Sequence, residues 1–184
     1  MTENVVGRAV FLDRDGVLNR APVRQGRPLS VRGPEEVEVL PGVPEACARL
    51  REGGYALIVV TNQPDVARGR VSREAVEAVH AFLRARLPLD DVRVCYHDDA
   101  DGCDCRKPRP GMLLAAAAQW GIDLGRSYMV GDRWRDIEAG RRAGCTTVFI
   151  DRGYDEPRPA DADFDTDSLL SAAEWILSAA RVGR

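Results

Sequence analysis

The chain has 184 residues, 45% of them hydrophobic and 30% charged, a balance that excludes intrinsic disorder and predicts one folded domain over residues 1–184. A net charge of −3 and a pI near 5.5 exclude a global basic footprint for nucleic acid or an anionic membrane surface. No apolar run reaches the roughly 20 residues of a bilayer span, and the start, MTENVVGRAVFLDRDG, lacks the basic and apolar segments of a secretory signal, so a cytoplasmic protein is expected.

In chain order, Arg8–Leu12 (RAVFL) reads as a short buried strand running into Asp13-Arg14-Asp15-Gly16. Residues 20–41, rich in Pro, Gly and Arg, read as a loop. A helix over 43–52 is closed by Gly53-Gly54. Tyr55–Val60 (YALIVV) is a second buried strand ending at Thr61-Asn62-Gln63. Ser72 is an N-cap for a helix with Ala75, Val76, Val79, Phe82 and Leu83 on one face. Val92–Tyr96 is a short strand, a helix covers about 112–120, and Ser127–Val130 is a strand leading into Gly131-Asp132. A helix over 134–143, a fifth strand at Thr146–Ile150 and a terminal helix over 168–181 complete the chain. This alternation predicts a parallel, doubly wound (Rossmann-like) α/β sheet with helices on both faces. Such sheets bind ligands at the carboxyl ends of their strands. Asp13, Asp15, Thr61, Asn62 and Asp132 all fall there.

Alternate residues of an extended segment point the same way, so Asp13 and Asp15 can face one site. With Asp132 they suit a hard cation such as Mg²⁺. The blander alternative is that Asp15-Gly16 makes a turn and that Asp132 and Asp136 cap a helix. Among 26 basic residues only Lys107 is a lysine, a compact point charge where arginine would be a planar fork. Cys95, His97, Cys103 and Cys105 crowd into eleven residues, and three thiolates with one imidazole make a complete tetrahedral set for a structural Zn²⁺. Cys47 and Cys145 read as inert core thiols, and His80 as a packing or surface residue.

FLDRDGVLN (11–19), VVTNQ (59–63), CRKPRPGM (105–112) and VGDRWRDIEAG (130–140) together resemble the four motifs of the haloacid dehalogenase superfamily of phosphohydrolases. The Cys/His segment narrows the resemblance to its capless, zinc-containing branch, which acts on heptose bisphosphate or histidinol phosphate. The resemblance covers residues 8 to about 155. It implies that Asp13 is the nucleophile, Asp15 the general acid and base, and Lys107 the stabiliser of transition-state charge. It further implies that Asp13, the Asp15 carbonyl and Asp132 hold Mg²⁺, and that Asp136 supports Asp132 or the metal's waters. Gly16, Thr61, Asn62 and Arg106 are expected to contact substrate or phosphate. The chain departs from the branch in carrying Pro64-Asp65 where Ser-Gly follows TNQ.

Asp15 to Thr61 and Thr61 to Lys107 each span 46 residues, consumed by the predicted elements, so no cap domain is expected. The zinc loop should hold the segment that aims Arg106 and Lys107, with Arg14, Arg20, Arg24, Arg27, Arg32 and Arg109 as further sources of positive potential. The expected function is Mg²⁺-dependent hydrolysis of a small phosphorylated substrate by a monomer, foremost removal of the 7-phosphate of a heptose 1,7-bisphosphate. Histidinol phosphate is the alternative, and a nucleic-acid 3′-phosphatase is disfavoured by the acidic pI and 6% aromatic content. A catalytically dead scaffold would have no need of intact Asp13, Asp15, Lys107 and Asp132.

Overall fold

The computed structural model describes residues 7–182; the first six and last two residues of the expected 1–184 domain lie outside that range. Its elements are β1 (Ala9–Leu12), a hairpin of β2 (Val23–Arg24) and β3 (Arg27–Pro28), α1 (Val43–Glu52), β4 (Ala56–Asn62), α2 (Arg73–Arg84) and β5 (Asp91–Cys95). They continue with α3 (Gly111–Trp120), β6 (Tyr128–Gly131), α4 (Trp134–Ala143), β7 (Thr146–Ile150), β8 (Phe164–Thr166) and α5 (Leu169–Val182). Six strands form one parallel sheet in the order β5-β4-β1-β6-β7-β8. The chain winds outward from β1 to one edge through β4 and β5, then returns to β6 and winds to the other. That reversal opens the crevice beside β1 where such sheets take ligands.

β1 and the first six residues of β4 are buried on both faces, which is why they read as unbroken apolar runs. One face of the sheet packs under α1, α2 and α5 through Val43, Leu50, Val79, Leu83 and Ile176. The other packs under α3 and α4 through Phe11, Ile58, Met112, Leu113, Ala116 and Ala139. Ser72 caps α2 by accepting the Ala75 N–H at 3.1 Å.

Three strands were not expected from the sequence, the two of a hairpin and one at the sheet edge. Residues 20–41 contain the β2–β3 hairpin, whose turn residues Gln25 and Gly26 both take positive φ (52° and 74°), the geometry of a two-residue hairpin turn. The sixth sheet strand, β8, lies in an Asp-rich stretch with only three residues and none fully buried. It is held by Phe164 stacking on Trp175 at 4.7 Å and by Asp163, which accepts from the Thr147 N–H and hydroxyl. Between β1 and β4 the described residues hold only this hairpin, a short 3-10 turn at Pro34–Glu36 and α1, so the fold has no cap domain.

Candidate active site

β1 delivers Asp13. The Asp13 N–H donates to Val130 O at 3.0 Å, carrying the β1–β6 ladder one step past the strand and fixing the Asp13 backbone. Lys107 approaches from the loop after the cysteine cluster. Its Nζ donates to Asp13 Oδ1 (2.9 Å), Asp136 Oδ1 (2.6 Å) and Val60 O (2.7 Å), so all three ammonium protons are satisfied in a nearly dry setting. Burial by itself would push the Lys107 pKa down, but Asp13 and Asp136 outweigh it and hold the ammonium above its ordinary range. Burial lifts the Asp13 carboxyl to about 6, against the pull of Lys107 and with Asp136 and Asp15 adding to the rise.

Asp132, following β6, is 2% exposed, and among the described residues neither carboxylate oxygen meets a donor in full hydrogen-bond geometry. Burial and then the neighbouring Asp13 and Asp136 drive its carboxyl well above the usual range, while the neighbouring Tyr154 hydroxyl draws it down. Asp13, Asp132 and Asp136 each offer an oxygen within 4.8 Å of the others. Three crowded carboxylates, one of them without a well-formed hydrogen bond, are a poor structure in themselves and a good one around a hard divalent cation. Asp136, beside Asp132 in this group, is also the second counter-ion of Lys107 and accepts the Arg133 N–H at 3.0 Å.

Asp15 shares the crevice but its carboxylate turns to other donors. Oδ2 accepts from Arg14 Nη2 (2.8 Å), Arg14 Nε (3.2 Å) and Gln63 Nε2 (3.1 Å), and Oδ1 from Asn19 Nδ2 (3.0 Å). Burial would raise this carboxyl; the Arg14 guanidinium and these hydrogen bonds overcome burial and hold it below the carboxylate norm. Gln63 also donates to Thr61 Oγ1 at 2.9 Å, tying the threonine at the end of β4 to the same network.

The cavity in front of these groups has a volume of about 390 Å³ and is lined by Asp13, Asp15, Thr61, Asn62, Arg106, Lys107 and Asp136, together with Arg27, Arg68, Arg70, Arg133 and Arg135. Of the arginines expected to supply positive potential, Arg27 and Arg106 line the cavity and the others do not. Arg14 is fully buried beneath Asp15, Arg20 pairs with Glu38, Arg109 donates to Gly102 O and Cys103 O, and Arg24 and Arg32 are exposed and do not line the cavity. Arg106 lines it while docked on Asp99 through Nε (2.8 Å).

Two further expected substrate-contacting residues, Gly16 and Asn62, have structural contacts of their own. Gly16 lies beside the cavity, with its N–H donating to Asn19 O and its carbonyl accepting from Arg152. Its φ of +85° and the closeness of Asp132 and Tyr154 require glycine there. Asn62 does not spend its amide on the cavity alone: Oδ1 accepts the Lys107 N–H (3.1 Å) and Nδ2 donates to Lys107 O (3.0 Å). Asn62 therefore clamps the lysine's backbone. Gln63, Asn19 and His80 are the site's supports that sequence reasoning missed. Gln63 and Asn19 close the quoted motifs, whereas His80 carried no signal beyond an apolar helix position.

Cys95 ends β5, and its Sγ lies 3.7 Å from Cys103 Sγ, 3.2 Å from Cys105 Sγ and 3.7 Å from His97 Nδ1. Cys103 and Cys105 are 3.4 Å apart, and His97 Nδ1 is 3.3 Å from Cys105 Sγ. These are close to the edges of roughly 3.5–3.8 Å expected of a tetrahedral thiolate–imidazole set around zinc, and the cluster is consistent with a zinc site. It sits two residues before Lys107. Arg68, bidentate on Asp98, ties the same loop to the segment after β4.

Fold and site together define a class, the haloacid dehalogenase-like phosphohydrolases. A family model described as HAD-hydrolase-like matches residues 104–172. The D-glycero-beta-D-manno-heptose-1,7-bisphosphate 7-phosphatase of Bordetella bronchiseptica is 35% identical over 94% of this chain and 99% of its own. That of Escherichia coli K12 is 36% identical over 92% and 88%. The crystal structure of the D,D-heptose 1,7-bisphosphate phosphatase from B. bronchiseptica, complexed with magnesium and phosphate, superposes with a TM-score of 0.80 at 31% identity, over 94% of this chain and 99% of that one. The chain belongs to the heptose-1,7-bisphosphate 7-phosphatase family of haloacid dehalogenase-like phosphatases.

Proposed function

We propose that this protein removes the 7-phosphate of D-glycero-D-manno-heptose 1,7-bisphosphate through an aspartyl-phosphate on Asp13. The observation that carries the reading is the buried Asp13–Lys107–Asp136 ion group beside the buried Asp132, opening on an arginine-lined cavity of about 390 Å³. A cavity of that size suits a small ligand, and its guanidinium groups suit one with a second phosphate.

An Asp13 carboxylate oxygen attacks phosphorus and the ester P–O bond breaks, its electron pair leaving on the sugar oxygen. Asp15 gives that oxygen a proton. Water then attacks the phosphorus of the acyl phosphate, Asp15 takes its proton, and inorganic phosphate leaves with Asp13 restored. The approach of a phosphate dianion raises the Asp15 pKa, so the group held anionic in the free enzyme gains the proton it delivers. Lys107 meets the charge growing on the equatorial oxygens, with the Thr61 hydroxyl as a further donor. Mg²⁺ held by Asp13, Asp132 and the Asp15 carbonyl would neutralise charge between nucleophile and phosphate. Zn²⁺ on Cys95, His97, Cys103 and Cys105 would brace the loop that carries Arg106 and Lys107. We take the working form to be a monomer.

The test is phosphate release from the heptose bisphosphate, from histidinol phosphate and from simple sugar monophosphates, with Mg²⁺ supplied. The bisphosphate is expected to show the highest kcat/KM, losing one phosphate per molecule. Efficient turnover of histidinol phosphate with poor turnover of the bisphosphate overturns the substrate assignment.

A further inference from the structure

Arg14, between the two site aspartates, is fully buried. An arginine stays charged at every working pH, so a buried guanidinium needs an acceptor for each edge it presents. Two of its nitrogens, Nε and Nη2, grip Asp15 Oδ2. The third, Nη1, lies 3.1 Å from His80 Nε2 on α2. His80 is itself 3% exposed, set among the apolar residues of that helix. A guanidinium can only donate, so Nε2 must be the bare acceptor and Nδ1 must carry the ring proton. Among the described residues Nδ1 has no partner within hydrogen-bonding distance, and Glu77 Oε2 lies 3.6 Å from it. Arg14 and Asp15 from the loop after β1, and Glu77 from α2, are the charged groups that face this imidazole.

We propose that His80 is a positioning residue for the reaction: by accepting from Arg14 Nη1 it fixes the guanidinium plane so that both other nitrogens hold the Asp15 carboxylate in place. The inference rests on Asp15 being the acid of the proposed function. Asp15 turns neutral when it carries its proton, and the fully buried Arg14 then loses its ion-pair partner. His80 is a neutral acceptor whose bond to Nη1 does not change with that proton, so the guanidinium keeps its orientation while the charge on Asp15 comes and goes. Without His80 the guanidinium can rotate toward a better-solvated position and take Asp15 with it. A merely space-filling histidine would present no nitrogen to Arg14.

The proposal predicts a defect confined to leaving groups that need a proton. We compare kcat/KM, which reports the steps through leaving-group departure, for a sugar phosphate and for p-nitrophenyl phosphate. His80→Leu is expected to lower kcat/KM for the sugar phosphate about tenfold and to leave the aryl phosphate within about twofold. His80→Gln, whose side-chain oxygen can accept from Arg14, should restore most of the loss. His80→Phe, which keeps the ring, should behave as His80→Leu and carries the comparison if the leucine variant does not fold. Asp15→Asn is run alongside. If Asp15→Asn is selective for the sugar phosphate while His80→Leu or His80→Phe is harmless, or slows both substrates alike, or if Gln restores nothing, the positioning role is wrong. If Asp15→Asn itself slows both substrates equally, the acid assignment fails instead.

Discussion

Removal of the Asn62 side chain separates two roles for this residue, holding the phosphate or holding Lys107. In Asn62→Ala the Lys107 N–H and C=O lose their partners at 3.1 and 3.0 Å, contacts that bridge 45 residues of sequence. At about 1 kcal/mol net per hydrogen bond, the clamp is worth about 2 kcal/mol, or roughly thirtyfold in rate if the whole effect falls on the transition state. It falls there because the Lys107 ammonium must reach Asp13, Asp136 and Val60 O from a fixed backbone. Steady-state kinetics should therefore show kcat reduced roughly thirtyfold with KM within about threefold, and thermal unfolding should drop by a few degrees. A variant with normal kcat and a strongly raised KM would return Asn62 to direct phosphate binding. Wild-type behaviour in both parameters would refute the clamp.

The cysteine cluster should retain about one zinc per chain after dialysis against a mild chelator, and Cys103→Ser should lower stability and activity together; metal analysis near zero, or a zinc-free variant of full stability and rate, would deny the site its role. His80 is held near 4, well below its ordinary 6.5, by burial and by Arg14. The unfolded chain thus binds more protons between these values, and stability falls as pH drops from 6.5 toward 4. Denaturant titrations should show wild type losing about 3 kcal/mol more than His80→Gln across that window; parallel curves would contradict the buried neutral imidazole. Arg106→Ala should cost about tenfold or more in kcat/KM for the heptose bisphosphate, and far less for a sugar monophosphate. An equal loss on both would mean that Arg106 serves only to dock the loop on Asp99.

The sheet was legible because its central strands are short, continuous apolar runs bounded by Asp, Asn and Gly, and because the chemistry follows those runs directly. Asp13, Thr61 and Asp132 needed only the rule that strand ends converge. β8 was not legible: a three-residue edge strand whose partner contacts come from Phe164 and Asp163 leaves no run to detect. Asn62 could not be recognised as a clamp from sequence, since its partner is the backbone of a residue 45 positions away. Arg14 was expected to lend positive potential to the substrate side; it is instead buried, its guanidinium folded back onto Asp15, a contact that residue spacing does not reveal. The cavity arginines Arg68, Arg70, Arg133 and Arg135 follow β4 and β6, and in so arginine-rich a chain nothing local marks them.

The account stands on Asp13 forming a covalent bond to phosphorus. Asp15→Asn should still accept a phosphoryl group from p-nitrophenyl phosphate but lose the base that activates water, so the intermediate should accumulate. Acid quenching followed by peptide mass spectrometry is expected to find the added mass of one phosphoryl group on Asp13, absent from the Asp13→Asn, Asp15→Asn double variant. Label-free Asp13 in a variant that releases p-nitrophenol in a burst, or label on another residue, would contradict the covalent mechanism.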